Sequence, residues 1–469
     1  MTLQTEQQYN FSNPPEWVQD AIFYQIFPER FENGDTLNDP PNVEQWGGKP
    51  KPGNYFGGDL QGIINRLPHI KELGFNAMYL NPIFAAESNH KYNAKDYRVI
   101  DPAFGTNELF DILIKKCHEQ NIRVVIDGVF NHVGTAHFAF QDVLQNGRDS
   151  KYVSWFNIYS FPVVVRPKPN YECWWGYASL PKLMTQNPEV KKHIFEVTEY
   201  WTNKGIDGWR LDVPNEVPHE FWKQWRQVVR SINKECYIVG ELWQDASAWL
   251  QGDEFDATMN YKFRDACLRF FAEGKTSANE FGKELLETRA LYNDKNNFAM
   301  QNLVGSHDTE RYLTMCGGDV WKAKLTYLFQ MTYFGAPMIY YGDEIGMEGG
   351  KDPDCRRPMI WNKKDWNMEL YNFVKNLISL RNSSEVLRRG NFEILPSTHD
   401  DVFAFQRNYK NQKAIIVINR SQTKKSFNFS IDSTIKQMIE CFSNEKISIS
   451  KNTVSLTIPR RSGKIFLQQ

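Results

Sequence analysis

Three short stretches set carboxylates among apolar residues: "GWRLDVPNE" at 208–216, "VGELW" at 239–243 and "GSHDTER" at 305–311. The first places Arg210 two positions before Asp212, so on a strand both side chains would share a face. An ion pair closing a strand is one explanation, because buried charges are usually found paired. Glu241 and the adjacent His307 and Asp308 strain that explanation, and a fourth stretch, "DGVFNH" at 127–132, adds Asp127, Asn131 and His132. Carboxylates and imidazoles gathered in one cleft can move protons and hold charge, whereas burying them as packing would be costly. Such a site requires elements that bring residues 127 to 308 together.

The first 380 or so residues supply a candidate, alternating short apolar runs with longer amphipathic stretches. Strands are expected at 21–27, 77–80, 123–129, 208–211, 237–241, 257–260, 301–305 and 337–341. Between them, "DLQGIINRLPHIKELG" repeats Leu60, Ile63, Ile64, Leu67, Ile70 and Leu73 at helical spacing. "NPEVKKHIFEVTEYW" opens with Asn-Pro, an N-cap and first-turn pair, and "HEFWKQWRQVVRSINKE" stripes Phe221, Trp225, Val228, Val229 and Ile232. Eight strands with intervening helices predict an α/β fold, the parallel (β/α)8 TIM barrel. In that fold active-site groups project from the C-terminal strand ends, which is where Asp127, His132, Arg210, Asp212, Glu241, His307 and Asp308 fall.

Two segments break the rhythm. About 60 residues separate the third strand from the helix near Val190, too many for an ordinary loop, and they hold the aromatic "FPVVVRPKPNYECWWGYASLPKL". After Asn382 short alternating runs such as "VFAFQRN" and "AIIVINR" predict a C-terminal antiparallel β-sandwich domain. The expected division is therefore barrel at 1–132 and 189–382, an inserted domain at 133–188 and the β domain at 383–469.

Lys plus Arg number 55 against 56 Asp plus Glu, a balance that lacks the basic footprint of a nucleic-acid binder. The N-terminus has no signal pattern and no apolar run is long enough for a membrane span, which gives the expectation of a soluble, cytoplasmic protein. Seven cysteines are scattered without C-x-x-C spacing, which argues against a zinc site or a disulfide framework. Fourteen Trp and 21 Tyr are many for this length. Such rings usually fill cores, but they also suit sugars, whose pyranose C–H faces stack on them.

In order and spacing, "DGVFNH", "GWRLDVPNE", "GELW" and "GSHDTE" resemble the four signature segments of the α-amylase superfamily of glycoside hydrolases. "NHKYNAKDY", "GGDLQGI", "LPKL" and "YYGDEIGMEGGKDPDCRRPM" are similar to the neopullulanase, cyclomaltodextrinase and maltogenic amylase branch. The resemblance implies a retaining α-glucan hydrolase acting on α-1,4 and also α-1,6 links in maltooligosaccharides, cyclodextrins, pullulan or starch, with transglycosylation. It implies Asp212 as nucleophile, Glu241 as general acid and base, and Asp308 as the group that binds sugar hydroxyls and steadies the transition state. Arg210 would keep Asp212 charged, and Asp127 would fix Arg210. His132 and His307 would hold hydroxyls of the same ring, with Tyr92 stacked beneath it. Asn215 and Glu216 would serve the acceptor side. Asp352 and Arg356 would grip the next sugar, with Asp354 and Arg357 as competitors for that assignment. Trp174, Trp175 and Tyr177 divide equally between outer subsites and core. A glucanotransferase or sugar isomerase on the same scaffold is the neighbouring reading, and a non-catalytic carbohydrate-binding or transporter-associated barrel the remote one.

Asn33, Asp35, Asn38 and Asp39, with the carbonyl of Gly57 and the carboxylate of Asp59, are six oxygen donors from two loops, which suits Ca²⁺ as well as it suits a plain Asx-rich turn. The resemblance favours structural calcium, away from the chemistry. Three departures from the branch stand out. The barrel begins by residue 20, which leads us to expect no N-terminal β domain, no dimer by that route and a more open cleft. Pro214 precedes Asn215 where a small residue is usual, and Met184 replaces an Asn.

Overall fold

A computed structural model describes residues 12–431, 435, 437–447 and 453–468. Its central sheet contains β1 (Phe23–Ile26), β2 (Ala77–Leu80), β3 (Arg123–Gly128), β4 (Gly208–Leu211), β5 (Tyr237–Gly240), β6 (Ala257–Thr258), β7 (Gln301–Leu303) and β8 (Ala336–Tyr340). All pair in parallel in the order β6-β5-β4-β3-β2-β1-β8-β7, and a single parallel bridge between Met259 and Gln301 closes the ring. The expected barrel is present.

Every residue of β1, β2, β4 and β5 is buried. Helices cover the outer face while side chains fill the inside, so these strands read as continuous apolar runs rather than alternations. Polar residues inside such runs, Gln25 and Arg210, are therefore conspicuous. The helix Leu60–Leu73 starts on Asp59, whose Oδ1 accepts from the Gly62 N–H at 2.6 Å, and it ends at Gly74 with φ +93°. Pro188–Asn203 begins on the Asn187 cap with Pro at its first position, as the sequence predicts. In His219–Ile232 the buried stripe is Phe221, Trp222, Trp225, Arg226 and Val229. Val228 and Ile232 are only half-buried, while Arg226 turns inward to pair with Asp256 at 2.8 Å.

After β3 the inserted segment holds the helix Phe138–Asn146, three 3-10 turns and the isolated bridges His132 to Lys182, Ile158 to Tyr171 and Cys173 to Pro181, around buried Phe140, Phe156 and Tyr171. Leu183 N donates to Asn131 O at 3.0 Å, which fastens this excursion to the end of β3.

The C-terminal strands are β9 (Glu393–Leu395), β10 (Val402–Tyr409), β11 (Gln412–Asn419), β12 (Lys425–Ser430), β13 (Met438–Glu440), β14 (Lys446–Ile447), β15 (Thr453–Ile458) and β16 (Ser462–Gln468). Six form an antiparallel sheet ordered β9-β10-β11-β16-β13-β14, and β12 pairs with β15. Alternation divides the strands between two cores. Val402, Ala404, Ile415 and Val417 face Phe427, Phe429 and Val454, while Phe403, Phe405, Ile416 and Ile418 join the barrel's own core.

Two buried arginines lie near this junction, neither in an ion pair with a carboxylate among the described residues, and Arg407 crosses it. Arg407 donates to the carbonyls of Thr332, Leu387, Gly390 and Asn391, and Arg381 to those of Met331, Tyr333, Leu387 and Gly335. Thr332 ends the helix Val320–Thr332, so the cations satisfy carbonyls that a helix C-terminus leaves unpaired. Arg407→Met should therefore lower the unfolding free energy by roughly 3 kcal/mol or more, since several buried acceptors lose their donor. Urea denaturation measures this, and a loss below about 1 kcal/mol would show that the contacts are dispensable.

Candidate active site

The predicted residues gather at the C-terminal ends of β3, β4, β5 and β7 around one guanidinium. Arg210 Nη1 donates to Asp127 Oδ1 at 2.9 Å, to Asp127 Oδ2 at 3.0 Å and to Asp212 Oδ1 at 2.8 Å. Its Nη2 lies 2.9 Å from Glu241 Oε2. Arg210 and Asp127 are fully buried, and Asp212 and Glu241 nearly so. One cation thus holds the carboxylates of three neighbouring strand ends on its two terminal nitrogens; the sequence led us to expect Asp212 and Asp127 beside it, but not Glu241.

Local backbone makes this arrangement possible. Asp212 N donates to Gly128 O at 3.1 Å and Glu241 N to Leu211 O at 2.9 Å, which extends the strand register past the strand ends. Val213 then takes φ +43° and ψ +47°, a left-handed conformation unusual for a β-branched residue. Its N–H lies 3.4 Å from Glu241 Oε2. Pro214 follows at the first position of a 3-10 turn, Pro214–Glu216, and its carbonyl accepts from Trp222 Nε1 at 2.9 Å. The strained residue is thus fixed from both sides, as strain at a functional position requires.

A second network positions the histidine. Gln25 Nε2 donates to His307 Nδ1 at 2.9 Å, which leaves the ring proton on Nε2, 2.6 Å from Tyr92 Oη and 3.2 Å from Asp308 Oδ2. Tyr92 Oη in turn donates to Asp127 Oδ2 at 3.0 Å, and Tyr79 Oη to the same oxygen at 2.7 Å. The Tyr92 and His307 rings are parallel within 5° at 5.6 Å. Burial, then the Arg356 and Arg210 charges, holds His307 far below the usual imidazole range, so it is a neutral hydrogen-bonding group. Burial likewise pushes His132 down to about 3. Its ring stacks on Trp174 at 5.5 Å.

Asp308 is the more open acid. Arg356 Nη2 donates to Asp308 Oδ1 at 3.2 Å, its Nε to His307 O at 2.9 Å, and its Nη1 pairs with Asp352 at 3.1 Å. Asp354 and Arg357 pair with each other at 2.7 Å, so the structure brings Asp352 and Arg356 to the site and leaves the competing pair aside. Glu216 pairs with Lys182 of the insertion at 3.1 Å, and Asn215 is exposed on the turn.

The electrostatics are those of a crowded acid cluster. Burial pushes Glu241 up to about 7; Arg210 pulls it down, while Asp308 and Asp127 add to the rise. Burial also raises Asp212 and Asp127, in both cases against Arg210. One guanidinium faces three carboxylates, so the set retains a proton near neutrality and titrates as a unit.

Several members of the site were not anticipated. Gln25 and Tyr79 were visible only as polar groups inside buried strands. Trp243, two residues past Glu241, donates from Nε1 to Glu241 Oε1 at 3.2 Å and stacks on Tyr261 at 10°. His90, within the "NHKYN" stretch, stacks on Tyr92.

The chain matches the family model described as alpha amylase, catalytic domain, over residues 25–390, and the maltogenic amylase C-terminal domain over 392–465. The chain belongs to the alpha-amylase family of glycoside hydrolases. Within the family it is 52% identical over 409 residues to a cyclomaltodextrinase of Thermoanaerobacter pseudethanolicus, covering 87% of this chain and 71% of that protein. It is 47% identical over 460 residues to neopullulanase 2 of Thermoactinomyces vulgaris, covering 96% and 78%. Among solved structures, a cyclomaltodextrinase superposes with TM-score 0.93 at 42% identity, over 97% of this chain and 79% of that one. The ligand-free cyclic alpha-maltosyl-(1→6)-maltose hydrolase of Arthrobacter globiformis superposes with TM-score 0.90 at 41% identity, over 97% and 100%.

The candidate cation loops fit in part. Asn33 Oδ1 and Asn38 Oδ1 are buried without a hydrogen-bond partner among the described residues, as oxygens that face a cation would be. A Cβ on Gly57, where φ is +83°, would fall 2.4 Å from Asp39 Oδ1, so this backbone lies directly against that carboxylate. Asp59 is more committed than expected: Oδ1 accepts from Gly62 N and Gly34 N, and Oδ2 from Asp35 N and Asn38 Nδ2. Among the described residues no group of three or more His, Cys, Asp or Glu side chains is arranged to hold a metal. The fit therefore rests first on the Asn33 and Asn38 amide oxygens and on Asp39 beside Gly57. No helix among the described residues is long and apolar enough to cross a membrane.

Proposed function

We propose that the chain hydrolyses α-1,4 glucosidic bonds, and α-1,6 bonds as a second specificity, in maltooligosaccharides, cyclodextrins, pullulan and starch, with retention of configuration. The observation that carries this reading is the Arg210 bridge, which holds Asp212 and Glu241 on opposite arms of one guanidinium with Asp308 nearby. In the productive form Asp212 is ionised and attacks the anomeric carbon, while Glu241 gives its proton to the departing sugar oxygen. Glu241, now a base, takes a proton from water or from a sugar hydroxyl, which attacks the glycosyl-enzyme and frees Asp212. Asp308 binds hydroxyls of the reacting ring, with the neutral His307 and His132 beside it. Tyr92 presents its ring below, Arg356 with Asp352 meets the adjoining sugar, and Asn215 and Glu216 face the acceptor. The relatives named cyclomaltodextrinase and neopullulanase support the substrate class, and the relative of Bacillus subtilis named intracellular maltogenic amylase supports a cytoplasmic site of action.

Digests of β-cyclodextrin, pullulan and starch resolved by product size test the reading. Glucose, maltose and panose-type products are expected with their initial α-configuration. Disproportionation without net release of reducing ends would assign the chain to glucan transfer instead.

The same reading gives structural Ca²⁺ to Asn33, Asp35, Asn38, Asp39, the Gly57 carbonyl and Asp59. The ion would tie the loop after β1 to the start of the helix Leu60–Leu73. Chelation should then lower Tm by several degrees, with recovery on adding Ca²⁺ but not Mg²⁺. A Tm indifferent to chelator would assign the cluster to a plain Asx-rich turn.

A further inference from the structure

The barrel interior carries a run of polar side chains whose task the catalytic scheme leaves open. Gln25 stands on β1, Tyr79 on β2 and Asn81 just past its end, all buried. Tyr79 and Asn81 are two apart and share a face, and Asn81 N donates to Ile26 O at 3.0 Å, which continues the strand register. Buried amides are costly unless bonded, so their partners explain their presence. Asn81 Nδ2 donates to Tyr92 Oη at 3.0 Å and to Tyr79 Oη at 3.4 Å, while its Oδ1 accepts from Gln25 Nε2 at 3.1 Å. The same Gln25 nitrogen reaches His307 Nδ1 at 2.9 Å.

Asp127 sets the direction of every bond in this run. Among the described residues its oxygens meet donors alone: Arg210 Nη1 on both, and the Tyr79 and Tyr92 hydroxyls on Oδ2. A hydroxyl that gives its proton to Asp127 has only lone pairs left for Asn81, so Asn81 turns its nitrogen to the tyrosines and its oxygen to Gln25. Gln25 must then present its own nitrogen, whose second hydrogen meets His307 Nδ1. A neutral imidazole that accepts on Nδ1 keeps its proton on Nε2. That nitrogen lies 2.6 Å from Tyr92 Oη and 3.2 Å from Asp308 Oδ2. Turning over one amide alone would set oxygen against oxygen, or hydrogen against hydrogen, between Asn81 and Gln25. Turning over both would deprive Asp127 of the tyrosine protons.

We propose that Asn81 and Gln25 are positioning residues that carry the charge state of Asp127 to His307, fixing His307 as the Nε2–H tautomer before a glucan enters. This rests on the hydrolase reading above and adds to it two residues that act on the sugar through His307. A donor already aimed needs no rearrangement in the transition state, so its loss should lower kcat more than it raises KM.

Nitrogen-15 labelling of the histidines, with His307→Gln to identify the signal, reads the tautomer directly. The parent should show a protonated Nε2 and a bare Nδ1 on His307. Gln25→Met, which has no hydrogen to give, should mix the tautomers. It should lower kcat on maltoheptaose about tenfold with KM within about threefold, the scale of one lost buried hydrogen bond. Asn81→Leu should act in the same direction, and the double variant should lose about as much as the worse single, because both break one relay. Gln25→Glu, whose burial favours a protonated carboxyl able to donate to Nδ1, should recover at least about half the parent's kcat at about pH 5.5. The other titratable groups against the ring, Tyr92, His90, Asp308, Arg210 and Arg356, are the same in every one of these variants. A proton on Nδ1 in the parent, or kcat values for Gln25→Met and Gln25→Glu within about twofold of each other at that pH, would overturn the relay. A parent that releases nothing from maltoheptaose would overturn the hydrolase reading instead, while the nitrogen spectrum still decides the relay.

Discussion

Asp212→Asn should fold as the parent does and lose turnover by about 10⁴-fold or more, the scale seen when a covalent nucleophile is removed. The amide has the same shape, and its oxygen can still accept from Arg210 Nη1, which now makes a 2.8 Å bond to the carboxylate. What disappears is the charge that attacks the anomeric carbon. One of three mutually repelling buried carboxylates is also removed, so Tm should not fall. Reducing-end release from maltoheptaose, with circular dichroism on the same sample, measures both. Turnover above about 1% of the parent in a folded variant would remove Asp212 from the nucleophile's role.

Glu241→Gln should cost about 10³-fold on natural glucans, within the range for losing a general acid. The loss should be smaller on an aryl maltoside whose phenol departs without a proton. In the parent, kcat/KM should fall as pH rises through about 7, where burial places Glu241, because only the protonated carboxyl can donate. The variant should lose that alkaline limb. A carboxyl whose folded pKa is raised supports the folded state below its unfolded value, and that support is lost as pH climbs through about 7. Glu241→Gln should therefore match or exceed the parent's Tm at pH 8. An alkaline limb that survives in the variant would assign the titration to another group.

Much of this architecture was legible because a barrel strand buried on both faces leaves a plain apolar run, and β2 and β4 occupy the expected residues without change. Other strands stop one or two residues early, at Gly240 and Thr258 for example, where only single backbone bonds continue the register, Glu241 N to Leu211 O and Met259 N to Gly240 O, and Met259 bridges to Gln301. The hairpin of Phe84–Ala86 with Ala94–Ile100 went unnoticed, since its exposure repeats every third residue rather than every second. The carboxylates were legible by position at the strand ends. Their electrical connection was not: it depends on the Arg210 fork reaching across β4 to the end of β5, and on Val213 in a conformation its residue type disfavours. Sequence alone could not choose between Asp352 and Asp354, two residues apart, until backbone geometry turned Arg356 inward. Nor could it say whether "CWWGY" was core or surface, because tryptophan serves both.

The Arg407 pin beneath the C-terminal sheet bears on how this molecule can be re-engineered. Its family description divides at residue 390, inviting recombination of the sheet between relatives as though it were a cassette. Arg407 sits on the sheet side of that division, whereas the Thr332 and Leu387 carbonyls it serves sit on the other, and Phe403 and Phe405 are packed there too. A chimera spliced at this boundary inherits a lock without its keyhole unless the donor barrel brings matching carbonyls and a matching aromatic bed. The two halves should melt as a single calorimetric unit.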